Sequence, residues 1–196
     1  MAEPTQASGR AFLGLIRHVR DRKGADALGR VLEAAPEATR EVFARPIRVM
    51  DWHPYDSFIG FLRAADRVHG KGDLAFCREL GAAAGKRDLG TILRVFVALA
   101  SAERLIKSCS KVWSDYYRNA GRMEAVAWEP EDTRVRIYDF PQMDPAHCRL
   151  MEGWMISTME TIGFRVSRDA SERSCTSSGG PHHEFVCTWT RRGTER

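Results

Sequence analysis

From Arg10 to Gly121 the apolar residues recur at helical spacing. Phe12, Leu13, Leu15, Ile16 and Val19 form one stripe that runs to Lys23-Gly24, and a period of three to four residues predicts an amphipathic helix. Leu28, Val31 and Leu32 mark a second short helix within Ala25 to Ala34. A third short segment lies between Pro36 and Pro46, the second proline limiting it. Pro54 suits the first turn of a helix that carries Phe58, Ile59, Leu62, Ala65 and Val68. Gly70-Lys71-Gly72-Asp73 breaks that helix, and Asp73 is placed to cap the next, through Leu74, Cys77 and Leu80. Gly85 reads as its end and Asp88 as the cap of a helix through Ile92, Leu93, Phe96, Val97 and Leu99. Ser101 and Glu103 then open a long stripe of Leu105, Ile106, Cys109, Val112, Trp113, Tyr116 and Tyr117.

Beyond Gly121 the period falls to two. Met123, Ala125 and Ala127 alternate with Glu124, Val126 and Trp128, Glu129-Pro130-Glu131-Asp132 turns the chain, and Val135 to Phe140 alternates again. That pattern predicts a hairpin with one buried face. Asp144-Pro145 supplies an N-cap and a proline for the first helical position. Leu150, Met151, Trp154, Met155, Thr158 and Met159 stripe this helix, Gly163 ends it, and Phe164-Arg165-Val166 and Phe185 to Trp189 read as strands. Helices first and strands afterwards predict an α+β fold, with N-terminal helices packed on a C-terminal antiparallel sheet of about four strands. The expected boundaries are a disordered start over 1–9, one domain over 10–190 and a tail over 191–196.

Composition narrows the partners more than the chemistry. With 196 residues, 43% hydrophobic and 29% charged, the chain reads as one ordinary globular domain. Its 30 basic and 26 acidic residues are interleaved, unlike the clustered basic stripe of a nucleic-acid binder. No apolar run reaches the ~20 residues of a membrane span, and Met1-Ala2-Glu3-Pro4-Thr5 lacks a basic-then-apolar export signal. Five cysteines are an odd number and too few for a stapled scaffold. Reduced thiols in a cytoplasm are expected.

Two groups of side chains carry candidate chemistry. Trp113, Tyr117 and Trp128 are candidate walls of a small apolar pocket, although the same spacing also describes a filled core. The second group gathers near the C-terminus. Cys175, His182, His183 and Cys187 are the obvious local metal set, but a strand separates His183 from Cys187 by about 13 Å at ~3.3 Å per residue. Two ligands of one ion lie within about 4 Å of each other, so Cys187 reads as a core thiol. Cys148, Glu172, Cys175 and His183 form a better set. Cys148 opens a helix, where the dipole favours a thiolate. Cys175 and His183 flank the turn at Ser178-Gly179-Gly180-Pro181. Glu172 and Cys175 can share a face only across a turn or bulge. The competing description is two buried thiols, an exposed acid and a surface histidine.

The order Cys-x4-Gly at Cys148 to Gly153, a helix, Gly163, a strand, Glu-x2-Cys at Glu172 to Cys175, Gly-Gly, then x-Phe-x-x-x-Trp resembles a 4-vinyl-reductase-type domain. Such domains belong to the NO-signalling and Golgi-transport ligand-binding superfamily, alongside haem-NO sensors and TRAPP-type trafficking subunits. The resemblance is strongest over about residues 100–190. Trp52-x-Pro-Tyr and the Gly-Asp-Leu-x5-Leu-Gly segment ending at Leu80-Gly81 echo the family's helical half. It implies a small-ligand pocket beside a zinc held by three cysteines and a glutamate. Cys148, Glu172 and Cys175 match three of these, and His183 stands where the fourth, a cysteine, would be. It also implies a homodimer and a protein partner for output. The haem branch would need an axial histidine and a Tyr-x-Ser-x-Arg clamp, which Tyr116-Tyr117-Arg118 does not reproduce, so no haem is expected.

Catalytic motifs are absent from the sequence. There is no Gly-x-Ser-x-Gly elbow, no His-Glu-x-x-His and no dinucleotide fingerprint. The expectation is a non-catalytic sensory or ligand-binding domain that binds a small apolar molecule and signals through a partner. The alternative is a scaffold or adaptor subunit of the same fold without a ligand.

Overall fold

Among the described residues, helical spacing in the N-terminal part corresponds to six helices: α1 (Gly9–Lys23), α2 (Ala27–Ala34), α3 (Glu37–Phe43), α4 (Tyr55–His69), α5 (Ala75–Phe96) and α6 (Cys109–Tyr116). A seventh, α7 (Pro145–Thr161), follows the first hairpin. The computed structural model describes residues 3–96, 109–161, 163–167 and 170–191. The expected helical start at Ser101 to Ile106, the positions Val97 and Leu99, and most of the tail lie outside the described residues.

Short polar side chains set the starts of α5 and α7. The Asp73 carboxylate accepts the N–H of Ala75 at 3.0 Å, and buried Asp66 accepts those of Leu74 and Phe76 at 2.9 and 3.0 Å. Asp144 caps α7 by accepting the N–H of Ala146 at 2.8 Å. It also receives Arg63 of α4, whose Nε and second guanidinium nitrogen lie 3.1 and 3.0 Å from its two oxygens. Past the end of α7, Gly163 takes φ 100°, a left-handed value that glycine adopts without cost.

Gly85 does not end a helix, and Asp88 does not begin one, because α5 runs through both. The reason is packing. A Cβ at Gly81 would sit 1.9 Å from the Leu150 carbonyl oxygen, one at Gly85 2.1 Å from Ser157 Oγ, and one at Gly153 1.9 Å from the Arg78 carbonyl oxygen. These glycines let α5 and α7 cross backbone to backbone.

The strands among the described residues form three sheets. The main one has the order β4 (Arg122–Glu129), β5 (Asp132–Tyr138), β8 (His183–Cys187), β7 (Ser171–Ser174), all antiparallel. β6 (Phe164–Val166) pairs with β9 (Trp189–Arg191). β1 (Gln6–Ser8) pairs with both β2 (Trp52–Pro54) and β3 (Tyr117–Arg118). The expected disordered start therefore fails at Gln6–Ser8. Three residues carry no readable period, and their order comes from strands distant in the chain. The architecture is α+β, with the main sheet beside α7.

Phe12, Leu15, Phe58, Phe61, Leu62, Leu80, Ile137, Phe140 and Phe185 belong to one continuous core between helices and sheet. Each such side chain stabilises by about 1.5–3 kcal/mol on burial. A second cluster of Met159, Phe164, Ala170, Cys187 and Trp189 lies under β9. No helix among the described residues is long and apolar enough to cross a membrane.

Candidate functional site

Four side chains from three elements and one turn meet at the first turn of α7. One ligand atom from each of Cys148, Glu172, Cys175 and His183 lies within 4.8 Å of the others. Cys148 Sγ is 3.9 Å from Cys175 Sγ and 3.5 Å from His183 Nδ1. His183 Nδ1 is 2.9 Å from Glu172 Oε1.

Local backbone features bring them together. Alternation along β8 turns His183, Phe185 and Cys187 inward, while His182 lies on the other face near Glu184. Cys187 thus ends in the second core cluster. The register of β7 against β8 shifts between Glu172 and Ser174, a bulge that re-aims the side chains after Glu172. A 3-10 turn (Thr176–Ser178) then returns the chain through Gly179 at φ 85°.

Hydrogen bonding fixes the His183 tautomer. The Thr176 hydroxyl donates to the Pro141 carbonyl at 3.3 Å, leaving its oxygen to accept from His183 Nε2 at 2.7 Å. The Phe140 carbonyl oxygen also accepts from Nε2, at 3.3 Å. Nε2 therefore carries a proton, and Nδ1 turns toward the thiols and the carboxylate. A ring nitrogen that donates to a carbonyl while its partner faces a donor set is the usual arrangement of a metal-bound histidine.

With Nε2 protonated, the Nδ1 to Glu172 contact needs a hydrogen or a metal ion between the two atoms. A shared proton gives a hydrogen bond; a metal ion gives a coordination centre. Bonds of ~2.3 Å to sulfur and ~2.0 Å to nitrogen in a tetrahedron imply edges of about 3.8 Å between sulfurs and about 3.5 Å from sulfur to nitrogen. Those match the separations of 3.9 and 3.5 Å. The glutamate edge, at 2.9 Å, is shorter than the about 3.3 Å the same bonds imply. Without an ion, burial pushes the Cys148 thiol up, with the Glu172 charge next and Cys175 after it. The helix dipole expected to favour a thiolate is outweighed, since desolvation disfavours the charged form.

A second feature is a cavity of about 30 Å³ among α1, α4, α5, α6 and α7, whose walls include Leu15, Phe58, Trp113, Tyr117, Met151 and Trp154. Trp128 is elsewhere. It packs on Phe164 and Trp189 in the second cluster, with ring centroids 5.9 and 5.4 Å away. Behind Trp113 lies a residue the sequence pattern did not mark. His147 is fully buried and stacks on Trp113 at 5.7 Å and 8°. Its Nδ1 lies 2.9 Å from the Tyr55 hydroxyl, which receives the Asp144 N–H at 3.2 Å and so donates to the ring. Its Nε2 has no hydrogen-bond partner among the described residues. Burial holds this imidazole down to about 3.

No family model and no curated protein matches the chain by sequence. Solved structures do match by shape. An H-NOX protein mutant from S. oneidensis in the Fe(II) ligation state superposes with TM-score 0.69 at 12% identity, over 96% of this chain and 99% of that one. The Fe(II) unliganded H-NOX protein from K. algicida gives 0.66 at 10% identity, over 96% and 100%. The IWP-051-bound H-NOX from Shewanella woodyi in the Fe(II)CO ligation state gives 0.61 at 14%, over 96% and 98%.

These neighbours correct the cofactor expectation, which named zinc and excluded haem. Their Fe(II) states are those of haem domains, so a missing clamp motif does not remove haem from consideration in this fold. Among the described residues, His147 offers an unpartnered imidazole nitrogen. The space is another matter. Tyr117 and Phe58 also crowd that ring, with centroids at 4.6 and 5.6 Å. The neighbouring cavity of about 30 Å³ falls far short of the ~300 Å³ at which cofactor pockets begin. With the described side chains where they stand, the space beside His147 does not take a porphyrin, and no function is derived through it. The haem-NO-binding part of the expected resemblance is supported, and the 4-vinyl-reductase part is not confirmed. What the superpositions establish is that the chain shares its fold with the H-NOX domains, the haem-NO-binding fold.

Proposed function

We propose that this domain is a non-catalytic sensory or ligand-binding module containing a metal centre built by Cys148, Glu172, Cys175 and His183. The centre ties the C-terminal sheet to α7, a small apolar molecule is the ligand, the chain pairs as a homodimer, and a protein partner receives the signal. One observation carries the metal reading: two thiols, a carboxylate and an imidazole nitrogen converge within 4.8 Å, with the far nitrogen of His183 already donating elsewhere. The sensory part is supported by the fold neighbours, H-NOX proteins described in Fe(II)NO and Fe(II)CO states.

Cobalt(II) tests the centre directly. Metal-free protein titrated with Co(II) should bind one ion per chain and develop thiolate charge-transfer absorption. Cys148→Ser and Cys175→Ser should each remove much of that band. Wild-type protein showing no such band ends the metal reading.

A second reading is favoured by the small size of the cavity. A core closed down to about 30 Å³ suits an interaction subunit of the same fold with no ligand. Xenon and benzene separate the two, since a ligand that binds only the folded state raises Tm. A rise for either supports the pocket; no shift for both supports the scaffold.

A further inference from the structure

Glu152 is a buried carboxylate outside the ligand set. It follows Cys148 by one turn of α7, so the two side chains leave the same helix face, and its side chain is 3% exposed. Its Oε1 accepts the backbone N–H of Glu172 at 3.0 Å, the amide of the residue whose side chain reaches His183. Its Oε2 accepts from Arg149 at 2.5 Å and lies 3.7 Å from Arg78 Nε on α5. Arg78 also donates to the Ala170 carbonyl at 3.2 Å. Two backbone groups at the head of β7 are therefore held by the α5–α7 pair.

These ties fall where the sheet is weakest at dictating geometry. The β7–β8 register breaks just after Glu172, so the ladder alone does not determine where that side chain points. A carboxylate receiving an amide N–H makes a charge-assisted bond, stronger than a neutral one. We infer that Glu152 is a positioning residue: through the Glu172 amide it places the Glu172 carboxylate beside His183 and so raises the centre's affinity for its metal, with Arg78 as the second tie. The affinity half rests on the metal reading above; the positioning half stands on the hydrogen bonds of this chain.

The test uses two variants and two measurements on the full chain. In metal-free protein, Glu152→Ala should speed hydrogen exchange at the Glu172 amide at least ~10-fold, because that amide loses its acceptor. Glu152→Gln keeps an oxygen acceptor and should restore most of the protection. With Co(II) as the probe, Glu152→Ala should bind about 10–100-fold more weakly, the usual cost of losing a partner that orients a ligand. Its d–d bands should coincide with those of Glu172→Ala, whereas Glu152→Gln should keep the wild-type bands; a merely structural loss would not reproduce the Glu172→Ala spectrum. Unchanged exchange at Glu172 overturns the positioning claim, and unchanged affinity and bands overturn the tuning claim. Wild-type protein that takes up no Co(II) overturns the metal reading and the tuning claim together, and amide exchange then decides the positioning claim. If Glu152→Ala does not fold, Arg78→Gln should shift exchange and affinity in the same direction, and no shift overturns the inference.

Discussion

Single side chains in this molecule are decided by what lies within one bond length of a hydrogen bond. His147 shows the consequence of burial for charge. Its imidazole ordinarily titrates at 6.5 and is held down to about 3, by desolvation first and by His183 second. The rings facing it, from Tyr55, Phe58, Trp113, Tyr117 and Phe140, carry no positive charge. Between these two values the unfolded chain binds a proton that the folded one refuses, so stability falls as pH drops through that window. From pH 6.5 to 5 the loss from this group is about 2 kcal/mol, at ~1.4 kcal/mol per unit. Metal-free His147→Gln should therefore show a shallower acid limb than wild type in urea unfolding at pH 6.5 and 5. Equal limbs would mean the imidazole is hydrated. His183 was legible as a candidate from its place beside a Gly-Gly turn. The Thr176 hydroxyl and the Phe140 carbonyl that assign its tautomer were not, because no residue-type pattern announces a hydrogen bond to a distant backbone group.

At the scale of elements, the α5–α7 crossing governs the site. Gly153→Ala would press a methyl against the Arg78 carbonyl oxygen at 1.9 Å. Overpacking of this kind costs about 1–3 kcal/mol, and in a chain of this size each kcal/mol lowers Tm by about 2–4 °C. Gly14 in α1 has nothing within 4 Å of its added Cβ, so Gly14→Ala should instead stabilise, by about 0.5–1 kcal/mol, through helix propensity. Opposite shifts in thermal melts would separate contact from propensity; a neutral Gly153→Ala would show that the crossing can open. The hairpin of β4 and β5 and the cap at Asp144 could be read in advance, since period two and Asp-Pro are local signals. The length of α5 could not. Gly85 has the sequence signature of a helix end, and only α7 lying against it explains a glycine within the helix.

For the molecule as a whole, the proposed metal centre and the fold should be one equilibrium. An ion bound only by the folded state stabilises by RT ln(1 + [L]/Kd), about 2.7 kcal/mol at 100 times Kd. Co(II) at that excess should raise Tm by about 5–11 °C, and a chelator should reverse the shift. A centre that binds Co(II) without moving Tm would have to exist in the unfolded chain too, which four ligands spread from Cys148 to His183 make a strong contradiction.

Periodicity by itself determined the α+β order, the hairpin, the N-cap of α7 and a candidate ligand set in which Glu172 needed a break in regular strand to face Cys175. Those features are written in spacing and in capping chemistry, which act over a few residues. Tertiary structure decided that Gln6–Ser8 is a strand, that Trp128 belongs to a different core from Trp113, that burial rather than the helix dipole governs Cys148, and that Glu152 holds the Glu172 amide. Each depends on partners tens of residues away, and such contacts exist only once packing has brought the segments together.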